Sequence, residues 1–296
     1  AEALKATGTD EVWEFGAGSG ALAHQLLSEL KRLGCPIKRY NIMDLSSTLK
    51  ARQQAKLAEF GNQVHWLSHW PDTLQGVVVG NEVLDAMPVK LLNRIQGVWH
   101  ERGVVVADVA THPDGLAWED RPTELKPPLE PSGDHDYLTE IQPQGEAFVA
   151  SLAERLLASE KGGAAFFMDY GFPESEFFHP ERHMGTVMCH QAHKADANPL
   201  AAVGLKDITA HVNFTGIALA GQEAGLQVLG YTSQARFLLN LGLAERMSEA
   251  PLPERAQAMK LISEHEMGEL FKVVGFATHD HWQAQGFAAG DRSHRL

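Results

Sequence analysis

The chain of 296 residues has few of the features that mark several common protein classes. Its two cysteines, Cys35 and Cys189, are too few for a disulfide framework and too isolated for a zinc motif, which is typical of a reducing compartment. No run of about 18 uncharged apolar residues occurs, so we expect no membrane insertion, and no signal peptide is visible at the start. Only 25 Lys and Arg stand against 38 Asp and Glu, and this net charge of -13 argues against a nucleic-acid partner.

What is present is the composition of an ordinary globular protein, with 44% hydrophobic and 21% charged residues. Hydrophobic periodicity and turn residues predict helices at 19–33, 46–60, 146–159, 214–224, 233–243 and 253–266. They predict strands at 12–15, 37–44, 64–67, 76–80, 164–168, 226–231 and 271–276. Because strands and helices mostly alternate, the sequence predicts an α/β fold around a parallel sheet.

Two stretches interrupt this alternation. An antiparallel pair is predicted at 90–93 and 98–109, and the Pro-, Gly- and Asp-rich residues 111–145 predict a long excursion outside the core sheet. A second irregular stretch follows the fifth strand. We therefore expect one domain over residues 1–296 with insertions at about 89–145 and 172–212, and, since the chain begins at an alanine, a missing N-terminal segment.

A glycine-rich turn follows the first predicted strand. Gly16, Gly18 and Ala21 satisfy the dinucleotide fingerprint G-x-G-x-x-G/A, which leaves an NAD enzyme open. Glu14, just before the turn, would repel a diphosphate but suits a cation. S-adenosylmethionine (SAM) carries a sulfonium and an ammonium and no phosphate, so Glu14, Gly16, Gly18 and Gly20 favour SAM as the cofactor.

Two further strand ends carry polar side chains. Asp44 ends the second predicted strand, where a carboxylate can accept hydrogen bonds from both ribose hydroxyls. Leu45, the next residue, is also predicted to bind the cofactor. Asp44 could instead cap the next helix. Asn81 and Glu82 follow the fourth strand, where ligands of open parallel sheets bind, and with Asp85 they would face the reactive methyl group. The alternative is a loop opening at Asn81 and a helix cap at Asp85.

Four segments carry a resemblance to a known family: VWEFGAGSG, GNEVLDAMPV, FMDYG and GTVMCHQAHKADANPLAAVGLKDITAHVNF. They resemble the MidA family of class I SAM-dependent methyltransferases, and the match extends from about Glu11 to the closing MGELFKVVGF. The resemblance implies a Rossmann-like, seven-stranded, mostly parallel sheet with helices on both faces and insertions after the fourth and fifth strands. It also implies that the chain methylates an arginine of a partner protein, with a respiratory-complex subunit as one candidate.

The resemblance also assigns positions. Glu14 and the three glycines fall on the family's SAM loop, Asp44 on its ribose-binding acid, where Glu is more usual, and Asn81, Glu82 and Asp85 on its fourth-strand motif. The family has an N-terminal segment that helps cover the site. The expected compartment is the cytoplasm for a bacterial protein and the mitochondrial matrix for a eukaryotic one, and an oligomer is compatible with the sequence. A small-molecule or other-residue methyltransferase, or a non-catalytic SAM-binding assembly factor, stays open.

An arginine acceptor would be oriented by carboxylates, because a guanidinium pairs with them bidentately. Glu82, Asp85 and Glu140 are the candidates, although Glu140 could equally be a solvated loop residue. His211 could accept a proton or orient a carboxylate, and a buried structural histidine is the alternative.

The histidines at 179–193 invite a metal interpretation, with His190 and His193 three residues apart beside Cys189. Spacing without a second ligand pair is poor evidence for zinc, so the sequence predicts a polar loop and no metal.

Overall fold

A computed structural model of the chain describes residues 1–191, 194–279 and 282–296. The strands are, in chain order, β1 (Glu11–Phe15), β2 (Arg39–Met43), β3 (Val64–Leu67), β4 (Gly76–Asn81), β5 (Lys90–Ile95), β6 (Val98–Val106), β7 (Leu116–Pro122), β8 (Tyr137–Ile141), β9 (Gly163–Phe172), β10 (Met188–Gln191), β11 (Lys194–Asp196), β12 (Asp207–Thr209), β13 (Val212–Asn213), β14 (Gln227–Ser233) and β15 (Phe271–Ala277).

The α-helices follow the same chain order. They are α1 (Glu2–Thr7), α2 (Ala21–Arg32), α3 (Ser47–Lys56), α4 (Pro143–Leu157), α5 (Glu174–Phe177), α6 (Phe214–Glu223), α7 (Gln234–Asn240), α8 (Leu243–Glu249) and α9 (Leu252–Ile262). Short helical turns of other types lie at Ala58–Gln63, Glu264–Gly268, Gln285–Phe287 and Ser293–Arg295. In the described ranges, no helix combines the length and the apolar character that crossing a membrane requires.

The main sheet has the strand order β14-β15-β9-β4-β1-β2-β3. The neighbours from β9 to β3 pair in parallel, and β15 is antiparallel to both β9 and β14. The prediction of a mostly parallel sheet is confirmed, with seven strands in this order; the two-residue β13 pairs in parallel with the end of β9 as an eighth strand. β1 lies in its interior, with Val12 opposite Tyr40 of β2 on one side and opposite Val77 of β4 on the other.

The interior position of β1 explains its sequence, because all five residues of EVWEF are buried. Helix α2 buries Leu27 and Leu30 in the same apolar cluster as Val12 and Ile42. This helix begins two residues later than predicted, since Gly20 precedes it in a left-handed conformation, with φ 76°.

The chain divides into two compact units. Unit 1 comprises residues 1–84, 148–170 and 218–296, and contains the main sheet; unit 2 comprises residues 85–147 and 171–217. Unit 2 holds two smaller antiparallel sheets, one with the strand order β7-β6-β5-β8 and one with the order β11-β10-β12.

Most differences from the predicted elements fall in unit 2. The predicted antiparallel pair is present as β5 and β6. Residues 111–145 lie outside the main sheet as expected, but they carry β7 and β8. These two strands were not predicted because Pro, Gly and Asp lie close to both in the sequence. In addition, buried and exposed residues do not alternate strictly along them. For the same reason, β10 and β11 were missed in the second irregular stretch.

Candidate functional site

The glycine turn after β1 has the backbone that its sequence predicts. Gly16, Gly18 and Gly20 all have left-handed φ angles, of 65°, 54° and 76°. A Cβ on Gly16 would come within 3.1 Å of Val83 Cγ2, whereas a Cβ on Gly18 would meet nothing within 4 Å. Gly16 is therefore required for close packing inside the loop, and Gly18 leaves open space into which a ligand can approach the backbone.

Glu14 on β1 is a buried carboxyl group. It is 3% exposed, and its Oε2 accepts a hydrogen bond of 2.8 Å from the hydroxyl of Tyr40. Burial raises the pKa of Glu14 to about 7, the charge of Asp44 adds to the rise, and the Tyr40 hydrogen bond opposes it. The carboxyl group therefore titrates near neutral pH, and a cation bound beside it would favour the ionised form.

The carboxylate of Asp44 is held in place from two directions. Its Oδ1 accepts a hydrogen bond of 2.9 Å from the backbone N–H of Ser46, and its Oδ2 accepts one of 2.8 Å from Gln53 Nε2. Ser46 is the residue that caps α3, where its Oγ accepts from the backbone N–H of Leu49 at 3.3 Å. The interpretation of Asp44 as the cap of this helix is therefore wrong.

Gln53 is a residue that the sequence analysis missed. It is fully buried on α3, and its Nε2 donates to the carbonyl oxygen of Gly18 at 3.0 Å as well as to Asp44. Its Oε1 accepts from Trp66 Nε1 at 3.0 Å. One side chain thus joins the glycine turn, the end of β2 and β3. Its only sequence signal is a glutamine on the inward face of a helix, which is too weak to single out.

Leu45 stands next to Asp44 with its side chain fully exposed. A large apolar side chain beside a carboxylate that can bind a ribose offers a surface for a flat, apolar ring such as adenine.

The turn after β4 is fastened to β9. The backbone N–H of Glu82 donates to the carbonyl oxygen of Met168 at 2.9 Å, and the N–H of Leu84 donates to Asp169 Oδ2 at 3.0 Å. Glu82 itself is exposed and has a φ of 52°, an uncommon angle for a residue with a side chain. Its Oε1 accepts a hydrogen bond of 3.0 Å from Asn81 Nδ2. The loop therefore presents Glu82 in a strained but fixed backbone conformation.

Unit 2 contains the other predicted acids and the histidine. Asp85 is 3% exposed, and its carbonyl oxygen accepts a hydrogen bond from the N–H of Ala210 at 3.0 Å. His211 follows with its N–H donating to Thr186 Oγ1 at 3.0 Å and its carbonyl oxygen accepting from Gln142 Nε2 at 2.8 Å. The main chain of His211 is thus fixed at both polar groups.

Glu140 is a buried residue of a strand. It lies in β8 and is 1% exposed, so the interpretation as a solvated loop residue is wrong. Its Oε1 accepts from the N–H groups of Thr186 at 2.7 Å and Val187 at 3.2 Å, and its Oε2 accepts from Thr186 Oγ1 at 3.1 Å. Burial raises its pKa, and these hydrogen bonds lower it. Both oxygens are already used to hold the 186–187 segment, which leaves little capacity for a guanidinium.

The metal hypothesis gains no support. His193 lies outside the described residues. Among those that are described, no three His, Cys, Asp or Glu side chains come together as a metal site.

The structure brings most of the predicted cofactor residues to neighbouring strand ends of unit 1. Glu14 lies near the end of β1 and the glycines follow it, Asp44 follows β2, and Asn81 ends β4 just before Glu82; these three strands are adjacent. The set offers a carboxylate held by two donors, an open glycine backbone and no Lys or Arg within residues 14–20, 44–46 or 81–82. A cationic nucleoside without phosphate fits this donor set better than a dinucleotide does.

Comparisons with known proteins agree with this fit. A family model described as "Putative S-adenosyl-L-methionine-dependent methyltransferase" matches residues 1–232. The chain is 28% identical over 235 residues to a Drosophila melanogaster protein, covering 72% of this chain and 50% of that one. It is 23% identical over 287 residues to a Caenorhabditis elegans protein, covering 88% and 64%. Both are described as "Protein arginine methyltransferase NDUFAF7 homolog, mitochondrial", and the chain spans between half and two thirds of their length.

A solved structure gives a closer match. A COG1565 superfamily member from Burkholderia thailandensis, crystallised with S-adenosyl-homocysteine, is 45% identical to this chain, with a TM-score of 0.89. The match covers 99% of this chain and 78% of the bacterial one.

Proposed function

The chain belongs to this family of SAM-dependent methyltransferases, as the resemblance predicted, and on that premise we propose that it methylates an arginine side chain of a partner protein. The cofactor is SAM. The arginine acceptor is supported by the descriptions of the two curated relatives and by the acids after β4. A respiratory-complex subunit, and the compartment in which the protein works, stay predictions.

In this proposal, the residues of unit 1 hold the cofactor. Asp44, oriented by Gln53 and Ser46, would accept hydrogen bonds from the ribose hydroxyls, and Leu45 would lie against the adenine. The glycine turn lets the amino-acid part approach the backbone, beside Glu14. When bound, SAM would supply the methyl group of its sulfonium to the acceptor nitrogen; the S–CH3 bond would break to leave S-adenosyl-homocysteine, and the nitrogen would release one proton.

The residues that bind the acceptor mainly have to orient its reacting nitrogen toward the methyl group. A guanidinium is planar and presents its N–H groups as a fork, so a carboxylate that pairs with it fixes which nitrogen can attack. The observation that carries the proposal is Glu82, an exposed acid held at positive φ at the end of β4 by the carbonyl oxygen of Met168. Glu82 is therefore the residue that we assign to orient the acceptor.

The test uses the purified protein, a whole-cell lysate that retains its small molecules, and SAM labelled on its methyl group. Mass spectrometry locates the label, and we expect it on arginine. Glu82→Gln should lower transfer by about 10- to 100-fold, since a charge-assisted hydrogen bond worth about 1.5–3 kcal/mol is lost. Its affinity for S-adenosyl-homocysteine, measured by calorimetry, should stay within about threefold of the wild type.

The matched control is Glu160→Gln, which changes another exposed acid of unit 1. It should leave both transfer and affinity unchanged. Label on lysine, on a carboxylate or only in small molecules would contradict the arginine acceptor. Lost affinity in Glu82→Gln would move this residue to the cofactor side. A folded protein that binds S-adenosyl-homocysteine and transfers no label to any acceptor would point to an assembly factor.

A further inference from the structure

Unit 2 contains a groove of about 430 Å³ whose lining residues all belong to that unit. One wall is the hairpin of β6 and β7, with Val104 and Trp118. Ile208 of β12 and the segment from Asp85 to Leu91 also line the groove. Asp85 follows Glu82 by three residues in the chain.

Three of the four charged residues that line the groove form ion pairs, two with each other and one with Asp120. Lys90 Nζ lies 2.9 Å from Glu101 Oε1, and the Arg102 guanidinium donates two hydrogen bonds, of 2.9 and 2.8 Å, to Asp120. The groove therefore has no strong local attraction for an anion. Its walls are open apolar side chains, because Val104 is 49% exposed, Trp118 38% and Ile208 46%. Grouped exposed apolar side chains are typical of interaction surfaces.

The charge of unit 2 narrows the choice of occupant. Unit 2 has eight Lys and Arg against 17 Asp and Glu, a net charge of -9, which leaves -4 for the larger unit 1. An acidic surface raises the local concentration of cationic ligands and disfavours nucleic acid and anionic lipid. An occupant that matches both the charge and the walls has basic residues and apolar side chains close together.

We propose that this groove binds a basic polypeptide segment of the methyl acceptor, with apolar side chains of that segment packed against Val104, Trp118 and Ile208. The inference rests on the proposed function, because it takes the occupant to be the polypeptide that carries the target arginine. Affinity then comes from apolar contact inside the groove and from the acidic field of unit 2 around it. Asp85, at 3% exposure, is the carboxylate in the lining that stands nearest in sequence to Glu82.

The test measures binding without methyl transfer. The probe is a fluorescein-labelled peptide of six Arg-Val repeats, and its anisotropy is followed with the full chain saturated with S-adenosyl-homocysteine. We expect binding that weakens with salt. Peptides of six Glu-Val or six Arg-Ser repeats should bind at least about tenfold more weakly, because each removes one of the two contributions.

Two variants locate the binding. Trp118→Ser and Ile208→Ser should each weaken binding of the Arg-Val peptide about fivefold, since each removes part of an apolar wall. The matched control is Leu252→Ser, which removes a 79% exposed leucine from unit 1 and should leave binding within about twofold. Affinity for S-adenosyl-homocysteine should be unchanged in all three, which shows that each variant is folded.

Three results would overturn the proposal. They are equal binding by wild type and both groove variants, equal binding of the Arg-Val and Arg-Ser peptides, and competition by N-acetylarginine amide at the affinity of the whole peptide. The last result would mean that only a guanidinium is recognised. Failure of this proposal can be distinguished from failure of the proposed function. Peptide binding in the groove together with label on another residue type would contradict the arginine acceptor and leave the groove assignment intact.

Discussion

Two carboxylates, one in each unit, show how differently the two parts of the molecule use the same chemical group. Asp44 in unit 1 is partly exposed, and one donor to each of its oxygens holds its orientation. Glu140 in unit 2 is 1% exposed, and three donors from residues 186 and 187 occupy its oxygens. The first arrangement leaves acceptor capacity for a ligand, whereas the second uses that capacity to hold the fold.

The contrast extends to the surfaces of the units. Of 21 large apolar side chains that are more than a third exposed in the described residues, 11 lie in unit 2, which has 110 of the 296 residues. Unit 2 also carries most of the net negative charge, -9 of -13. Unit 1 therefore combines a set of polar groups at strand ends, suited to a small cofactor, with a surface that has fewer exposed apolar side chains and less net charge for its size. Unit 2 combines buried structural acids with a surface suited to a larger partner.

The largest effect that tests this comparison is expected at Glu140. Glu140→Leu leaves the part-buried N–H groups of Thr186 and Val187 without their acceptor, and an unsatisfied donor costs about 1–3 kcal/mol when it is buried. We expect the free energy of unfolding to fall by about 3 kcal/mol, measured by urea denaturation. Affinity for S-adenosyl-homocysteine should be unchanged at a temperature where the variant is folded.

The control for that variant is Glu124→Leu, which replaces an exposed acid of the same unit and should change stability by less than about 0.5 kcal/mol. The comparison fails if Glu140→Leu keeps wild-type stability, or if it weakens cofactor binding while remaining folded.

A smaller effect is expected at Asp44, on cofactor affinity rather than on stability. Asp44→Ala removes a charged acceptor of the ribose hydroxyls, and hydrogen bonds to charged groups are worth about 1.5–3 kcal/mol. Affinity for S-adenosyl-homocysteine, measured by calorimetry, should fall about 50-fold. The free energy of unfolding should fall by only about 1 kcal/mol, since Gln53 keeps its bonds to Gly18 and Trp66.

Asp72→Ala, which changes another exposed acid of unit 1, serves as the control and should leave affinity unchanged. Equal affinity of wild type and Asp44→Ala would remove Asp44 from the cofactor site and with it the distinction between the two carboxylates.

The two units also differ in how well their sequences predict them. In unit 1, Gly16, Gly18 and Asp44 stand at strand ends, and a parallel sheet brings adjacent strand ends together, so a short motif is enough to place them. Gln53 was missed because its role depends on three partners far apart in the chain. In unit 2, Glu140 was misplaced because nothing local shows that residues 186–187 come back to cover it.

The family segments predicted more than periodicity did. DITAHVNF contributed to identifying the family, yet the structure shows the backbone of His211 fixed by Thr186 and Gln142. A segment can thus be diagnostic because its backbone is part of a folded core. Its role in the chemistry is a separate question, which the sequence leaves open.

The smallest of the expected effects concerns Glu14, a carboxyl group of unit 1 that is as buried as Glu140. Because its folded pKa is raised to about 7, the native state holds a proton that the unfolded chain releases near pH 4.5. Its contribution to stability is therefore present below about pH 4.5 and is lost as the pH rises to about 7. The ionised form gained over the upper part of that range is the one that attracts the ammonium group of the cofactor.

Affinity for S-adenosyl-homocysteine should therefore rise as stability falls, about fivefold from pH 6 to pH 8, which corresponds to a pKa decrease of about one unit on binding. In Glu14→Gln the rise should disappear, whereas Glu11→Gln, at another buried glutamate of β1, should keep it. An affinity independent of pH in the wild type, or an equal rise in Glu14→Gln, would show that Glu14 is a structural acid like Glu140. If affinity rises with pH only in proteins that keep Glu14, this one carboxyl group is both buried and a ligand contact. Asp44 and Glu140 each have only one of these two properties.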